Sequence, residues 1–374
     1  MERHDAVIIG GGPAGAACAS RLRASGMDVI VLDKQRFPRD KVCAGWITPG
    51  VLDTLTLDAD DYRQNRVLQP INSFLTGLID GPEVVTDYGH TVSFGIRRCE
   101  FDHYLLQRSQ AQLALGEPLK HLERAGKEWL INGRLRTPLI IGAGGHFCPI
   151  ARHLGADPGR SEHVVAAQEV EFKLSPEQMT HCRVEPQTPE LYFCRDLKGY
   201  GWCFLKGDYL NVGLGREDSH KLSRHVTEFL EFLRQRDRVP NDIPTRLKGH
   251  AYLLYTQRQP RKLIDDSVLL IGDAAGLAYP QSGEGIRPAI ESGLIAADVI
   301  LALDGEYGRD RLKRYETRLT ERFGERQRKT PLDHYLPRPL KQYMAAKLMG
   351  STWFSRHTLL DRWFLHRHTP PLAL

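Results

Sequence analysis

The sequence holds no apolar run long enough to cross a membrane. Its most apolar later stretch, Leu294 to Leu303, carries Asp298 and falls well short of the roughly 20 residues a spanning helix needs. It has no C-x-x-C pair and no His/Cys cluster at metal-ligand spacing, so no metal is expected. The seven cysteines are odd in number and show no paired spacing. That pattern fits reduced thiols in a cytoplasmic protein and argues against a disulfide framework. An apolar strand begins within five residues of Met1, which leaves no room for a signal peptide. Low-complexity tracts and short-period repeats are also missing, which excludes a solenoid or a disordered chain.

What is there is a globular composition, 41% hydrophobic and 26% charged over 374 residues, enough for two or three domains with real cores. The net charge of +5 is unevenly spread. From Arg309 onward there are 15 Lys/Arg against 6 Asp/Glu, so the first 308 residues carry 36 against 40. A basic tail follows a mildly acidic body.

The chain is organised around its first 34 residues. Asp5-Ala6-Val7-Ile8-Ile9 reads as a strand buried on both faces. It breaks into Gly10-Gly11-Gly12-Pro13-Ala14-Gly15, and Ala16 to Ala24 is a helix that Gly26 stops. Met27 to Leu32 is a second strand, ending in Asp33. In this layout Gly10 makes the tight turn, Gly12 lets backbone amides approach a pyrophosphate, and Gly15 lets helix and strand pack closely. Phosphates would sit at the helix N-terminus, where free amides and the dipole favour negative charge. Asp33 stands where a carboxylate accepts hydrogen bonds from a ribose. The pattern predicts a dinucleotide-binding domain.

Further along, Ile71 to Phe94 alternates between turn signals and reads as antiparallel strands, and Arg98 to about Leu115 as a helix. Thr137 to Gly145 and Val268 to Gly276 return to buried strands ending in glycines. Val164–Phe172, Leu191–Cys194, Gly201–Leu205 and Tyr209–Leu214 are strand-like, Leu222–Arg236 is an amphipathic helix, and a long helix runs from near Gly285 to Leu303. The expected domains are therefore a nucleotide-binding unit from 1–75, 97–160 and 262–305, a mostly antiparallel sheet domain from 76–96 and 161–261, and a basic helical region 306–374. Interrupted domains of this kind place a ligand pocket at their interface.

Three separated motifs fall in one order: Gly10-x-Gly12-x-x-Gly15, Arg98-x-x-Phe101-Asp102 and Gly272-Asp273-Ala274-Ala275-Gly276. Together they resemble the FAD-dependent flavoproteins of the para-hydroxybenzoate-hydroxylase-like superfamily. Within it the chain is most similar to the geranylgeranyl reductase family, on four further stretches. These are Phe37-Pro38-Arg39-Asp40-Lys41-Val42-Cys43-Ala44-Gly45, Gly199-Tyr200-Gly201-Trp202-Cys203-Phe204, Asn211-Val212-Gly213-Leu214-Gly215 and Ser282-Gly283-Glu284-Gly285-Ile286. The resemblance covers roughly residues 4 to 300. Two positions depart from the family pattern: Gly144 stands where an aspartate is usual, in a motif tied to nicotinamide handling, and Leu205 follows Phe204 in place of proline.

The resemblance implies an α/β fold, a Rossmann-like FAD-binding domain with a parallel sheet interrupted by a mostly antiparallel substrate domain, plus C-terminal helices. It implies FAD contacts from Gly10, Gly12, Pro13, Ala14, Gly15, Asp33, Lys34, Ala44, Gly45, Arg98, Leu122, Gly272, Asp273, Gly285 and Ile286. Gly283 to Ile286 would present a second helix N-terminus to the flavin pyrimidine. Tyr200 and Trp202 would line an apolar slot for substrate. Cys43 is the candidate proton donor for reduction of a carbon–carbon double bond in an isoprenoid or other apolar chain. Oxygenation of an electron-rich aromatic is the alternative; halogenation, which lacks its W-x-W-x-I-P signature here, and a non-catalytic FAD-binding role stand behind it. With one dinucleotide fingerprint, electrons would come from NAD(P)H bound transiently or from an external carrier protein. The basic tail, with Leu312, Tyr315, Leu319 and Phe323 along one helix and later amphipathic segments, either docks on the core or touches an anionic membrane surface. Nucleic-acid binding is not expected.

Overall fold

The computed structural model describes residues 1–374 except 160–161, 219–220, 245, 257, 259, 327–337 and 374, and omits the side chains of 338–342. Lys329, Pro331 and Pro337 of the tail thus lie outside the described residues.

Two sheets carry the architecture. The first has six strands in the order Ile264–Asp265, Val268–Leu270, Ile140–Gly142, Ala6–Ile9, Val29–Asp33, Gln112–Leu115. All its pairings are parallel except that of Ile264–Asp265. Strands buried on both faces must be apolar throughout, and Ala6–Ile9 is buried at every residue. The helices Pro13–Ala24 and Ile286–Ala302 pack tightly together because Gly293 offers no side chain: its missing Cβ would stand 3.2 Å from the Cys18 nitrogen. A four-stranded sheet, in which Leu122–Ala125, Glu128–Ile131 and Leu135–Thr137 form a meander, packs beside this core.

The second large sheet has seven strands, in the order Lys248–Tyr252, Val165–Lys173, Tyr209–Arg216, Gly199–Lys206, Glu190–Phe193, Ser73–Leu78, Glu83–Asp87. Only Ser73–Leu78 with Glu190–Phe193 is a parallel pair. Leu210, Val212 and Leu214 point to one face, where the helix Leu222–Gln235 supplies Val226, Phe229 and Leu233. The space left by Gly201 is filled by the Phe229 ring. By the two-residue period of a strand, Ala167, Glu169, Glu171, Asn211, Gly213, Gly215, Tyr200 and Trp202 must face the other way, toward the nucleotide-binding domain. A small sheet of Trp46–Ile47, Leu68–Ile71 and Ser93–Ile96 lies between the two.

One local expectation changes. The helix that begins at Arg98 ends at Arg108, and Gln112–Leu115 is the edge strand of the parallel sheet. Gln110 at φ +54° breaks the helix, and pairing with Val29–Asp33 outweighs the helical pattern of the sequence. The charged helix of the tail stops at Phe323, where Gly324 at φ +75° takes the C-cap. The apolar residues of the last segment turn inward. Ser355–Phe364 is π-helical and buries Leu359, Leu360 and Phe364, with the Phe364 ring 5.6 Å from Trp46 and 5.4 Å from Tyr200. The tail therefore completes the substrate-domain core. Among the described residues, no helix is long and apolar enough to cross a membrane.

Candidate active site

At the phosphate end each glycine of the turn meets a different constraint. Gly10 has φ +118°, and a Cβ there would strike the Ala143 backbone. A Cβ on Gly15 would overlap the Gly10 carbonyl oxygen. Gly12, the N-cap, has an ordinary φ of −71° and no side-chain cap, and its nearest neighbour is Arg39 Nη2 at 3.5 Å. Pro13 and Ala14 open the helix without an acid in its first turn, so its first amides keep unpaired hydrogens. Asp33 Oδ2 accepts the Gly11 N–H at 2.8 Å, and Oδ1 accepts that of Gln35 at 2.8 Å. Asp33 therefore fixes the glycine turn itself. Lys34 is exposed just past it, and Leu122 lies on the meander opposite Ile131.

Arg98 is buried and gives a bidentate pair to Asp102, at 2.8 and 2.9 Å. Burial alone would pull the guanidinium down, but the Asp102 carboxylate outweighs it and holds Arg98 charged. Arg39 was passed over in the sequence as one of several basic loop residues. Its Nη1 lies 3.1 Å from Asp102, yet this buried nitrogen has no aligned hydrogen-bond partner. A cation with an unmet donor beside an uncapped helix N-terminus fits a pyrophosphate.

Gly272 has φ +60°, and its turn carries Asp273 to the N-terminus of Ile286–Ala302. Asp273 Oδ1 stands 3.2 Å from where a Gly285 Cβ would be, and the Glu284 side chain accepts the Arg287 N–H of the first turn at 2.9 Å. Asp273 Oδ2 is 3.6 Å from His250 Nε2, and Lys41 Nζ approaches the same ring, 3.0 Å from Nδ1. Burial alone would raise Asp273, but the His250 hydrogen bond and the Lys41 charge hold it well below the usual carboxylate range. Burial lowers Lys41 to about 8. The sequence reading missed Lys41 and His250 as a group, because they are 209 residues apart.

The sheet supplies the third wall. Trp202 and Tyr200 lie opposite Gly213 and Gly215, whose bare backbones leave room for the rings; a Cβ on Gly213 would collide with the indole. Trp202 Nε1 donates to Asn211 Oδ1 at 2.6 Å, and the Tyr200 hydroxyl donates to the Ser282 carbonyl. Tyr200, Trp202, Phe193, Leu254, Tyr252 and Gly283 are among the residues lining a cavity of about 90 Å³. The loop at 43–45 is pinned beneath this sheet. Glu169 Oε1 accepts the Cys43 N–H at 2.8 Å, Asn211 Nδ2 donates to the Cys43 carbonyl at 3.4 Å, and the Gly45 N–H points at Cys43 Sγ at 3.3 Å. Gly45, after Ala44, has φ +68°, and a Cβ there would crowd the Lys206 Nζ and the Ile96 carbonyl. Glu171 accepts from Lys206 and from Asn211, at 2.5 and 3.0 Å. Cys43, Arg98, Tyr200, Asp273 and Gly285 thus converge, although they come from five separate stretches of chain.

A parallel nucleotide-binding sheet, two helix starts turned to one site and an aromatic-lined sheet facing them define a dinucleotide-dependent oxidoreductase fold. The chain belongs to the FAD binding domain family, whose model matches residues 121–326, while the model described as FAD dependent oxidoreductase matches residues 5–86. It is an FAD-dependent oxidoreductase of geranylgeranyl-reductase resemblance. It is 26% identical to the digeranylgeranylglycerophospholipid reductase of Methanococcus vannielii, over 86% of this chain and 83% of that one. It is 29% identical to the chloroplastic geranylgeranyl diphosphate reductase of Oryza sativa subsp. japonica, over 80% of this chain and 67% of that one. The crystal structure of a geranylgeranyl bacteriochlorophyll reductase-like protein from Thermoplasma acidophilum shares the fold, with TM-score 0.73, 21% identity, and coverage of 94% of this chain and 88% of that one.

Proposed function

We propose that this enzyme saturates carbon–carbon double bonds of an isoprenoid chain carried on a polar head. The observation that carries the reading is the slot at Tyr200, Trp202, Phe193 and Leu254, whose lining also holds Lys198, Arg216, Glu217 and Gln281, a mixture suited to an apolar chain on a polar head. The names of the similar reductases point the same way. Gly12 and the amides after it, Asp33, Arg39 and Arg98 would hold FAD at its phosphate and ribose end, and Asp273 and Gly285 would face its ring. Reduced FAD supplies a hydride to one alkene carbon.

The protein supplies the rest. Tyr200 and Trp202 would hold the apolar chain flat against the site. Adding hydride to an unactivated alkene requires a proton at the neighbouring carbon, and the Cys43 thiol would give it. The Arg98 charge, which acts on Cys43, would stabilise the thiolate left behind. Reducing equivalents arrive from NAD(P)H or from a carrier protein. The test is to reduce the holoenzyme anaerobically and add geranylgeranyl diphosphate. Return of the oxidised visible spectrum, with one hydrogen pair gained per double bond by mass spectrometry, is the expected result. An inert alkene combined with rapid oxygen incorporation into an aromatic acceptor would replace this reading with oxygenation.

A lipid-borne substrate also suits a peripheral membrane contact. Tyr343, Met344, Leu348 and Trp353 are exposed at 58%, 47%, 45% and 67%, on a tail whose charge excess is basic. Such a face would rest on anionic lipid. In flotation with vesicles rich in phosphatidylserine or phosphatidylglycerol, the full chain is expected to float. A Met344→Ser, Leu348→Ser, Trp353→Ser variant is expected to stay at the bottom. Equal behaviour of the two would retire the contact. Deleting the tail would be a poor test, since Leu359, Leu360 and Phe364 belong to the core.

A further inference from the structure

Glu169 sits on the face of its strand that points away from the helix Leu222–Gln235, only 5% exposed. Alternation along Val165–Lys173 would ordinarily send such a carboxylate to solvent, but here the 43–45 loop covers it. One oxygen accepts the Cys43 N–H at 2.8 Å. The other, Oε2, is buried without any hydrogen-bond partner. An ionised carboxylate would not leave a buried oxygen unmet at low cost; a neutral acid in this place would. Its charged neighbours come from every element packed on it. Glu171 is on its own strand, and Lys206 is on Gly199–Lys206. Lys248 pairs across from it on the edge strand but is engaged by Asp40 at 2.5 Å. The Lys41–His250–Asp273 group lies along the same loop and edge strand. Lys206 is already engaged by Glu171, so its pull on a Glu169 charge is shared.

We propose that Glu169 is a positioning residue for Cys43: as a neutral acid it holds the loop through the Cys43 amide and leaves the thiol free to release its proton, and as an anion it opposes thiolate formation. Its catalytic consequence rests on the alkene-reduction reading. Burial pushes Glu169 up to about 7, against the pull of Lys206, so it is neutral below that pH and charged above. The sign follows: once Glu169 ionises, above about 7, its charge would make the Cys43 thiol a weaker proton donor to substrate than it is beside the neutral acid.

Two arms test this. Peptide-resolved alkylation of Cys43 by iodoacetamide, with no substrate present, reads the thiol directly. In Glu169→Gln the carbonyl oxygen still accepts the Cys43 amide but no charge can form. Cys43 in that variant is expected to alkylate about tenfold faster at pH 8 than in the wild type, a displacement of about one pH unit. Glu169→Asp, which keeps an ionisable group, is expected to stay near the wild type. In single-turnover reoxidation by geranylgeranyl diphosphate, the wild type and Glu169→Asp are expected to lose rate as pH rises through 7, and Glu169→Gln to lose that limb. Equal alkylation profiles in wild type and Glu169→Gln, with FAD bound in both, overturn the proposal. If alkylation differs but no alkene is reduced, the coupling stands and the substrate reading falls.

Discussion

Gly12→Val is expected to give a folded protein that purifies without its yellow colour. The backbone at Gly12 has φ −71°, a conformation open to any residue, and its Cβ position has no neighbour closer than Arg39 Nη2 at 3.5 Å. The apoprotein should therefore unfold at the temperature of the wild-type apoprotein. What the valine methyls do occupy is the space over the first free amides of Pro13–Ala24. Losing two charge-assisted hydrogen bonds to phosphate, each worth about 1.5 kcal/mol or more, weakens FAD by about 100-fold or more. Titration of apoprotein with FAD, followed by flavin fluorescence, measures it. The same exchange at Gly15 should prevent folding, because the Gly10 carbonyl already fills that space; the two variants together separate a ligand effect from a packing one. A Gly12→Val protein that binds FAD as tightly as the wild type would place the pyrophosphate elsewhere.

Cys43→Ser is expected to keep its flavin and lose turnover. The loop is held by contacts serine does not disturb: the amide to Glu169, the carbonyl to Asn211, and a side-chain acceptor for the Gly45 N–H. Absorbance of the bound FAD should match the wild type. The hydroxyl, however, is a far weaker acid than the thiol, and Arg98 cannot make up that difference. General acid catalysis contributes about 100- to 10,000-fold, so kcat for alkene reduction should fall by about 100-fold or more while KM, set by Tyr200, Trp202 and the rest of the slot, changes little. Unaltered kcat would remove Cys43 from the proton path and would leave Glu169 with a structural task alone.

The parts of this protein that rest on short-range pattern were readable from residues alone. A buried β-branched strand, four glycines in six residues and an acid at the end of the next strand predict the dinucleotide turn. Its logic is local, because Gly10 and Gly15 are required by the strand beside them or by backbone a few residues away. The helices Leu222–Gln235 and Ile286–Ala302 and the alternating strands were legible for the same reason. The helical pattern failed at Gln112–Leu115, where the free edge of Val29–Asp33 offered hydrogen bonds that no local propensity reports.

The sequence by itself determined the nucleotide-binding turn, the doubled-sheet class and the residues that give the flavin fold its signature. Only the tertiary structure decided which polar side chains are buried. Glu169, Glu171, Asn211 and Lys206 occupy positions whose alternation reads as a wet face, and Arg39, Lys41 and His250 read as ordinary loop and edge residues. Whether a polar face meets water depends on what covers it, and here the cover is a loop about 125 residues away in the chain. Periodicity records which side of a strand a residue takes, and not what is laid against that side.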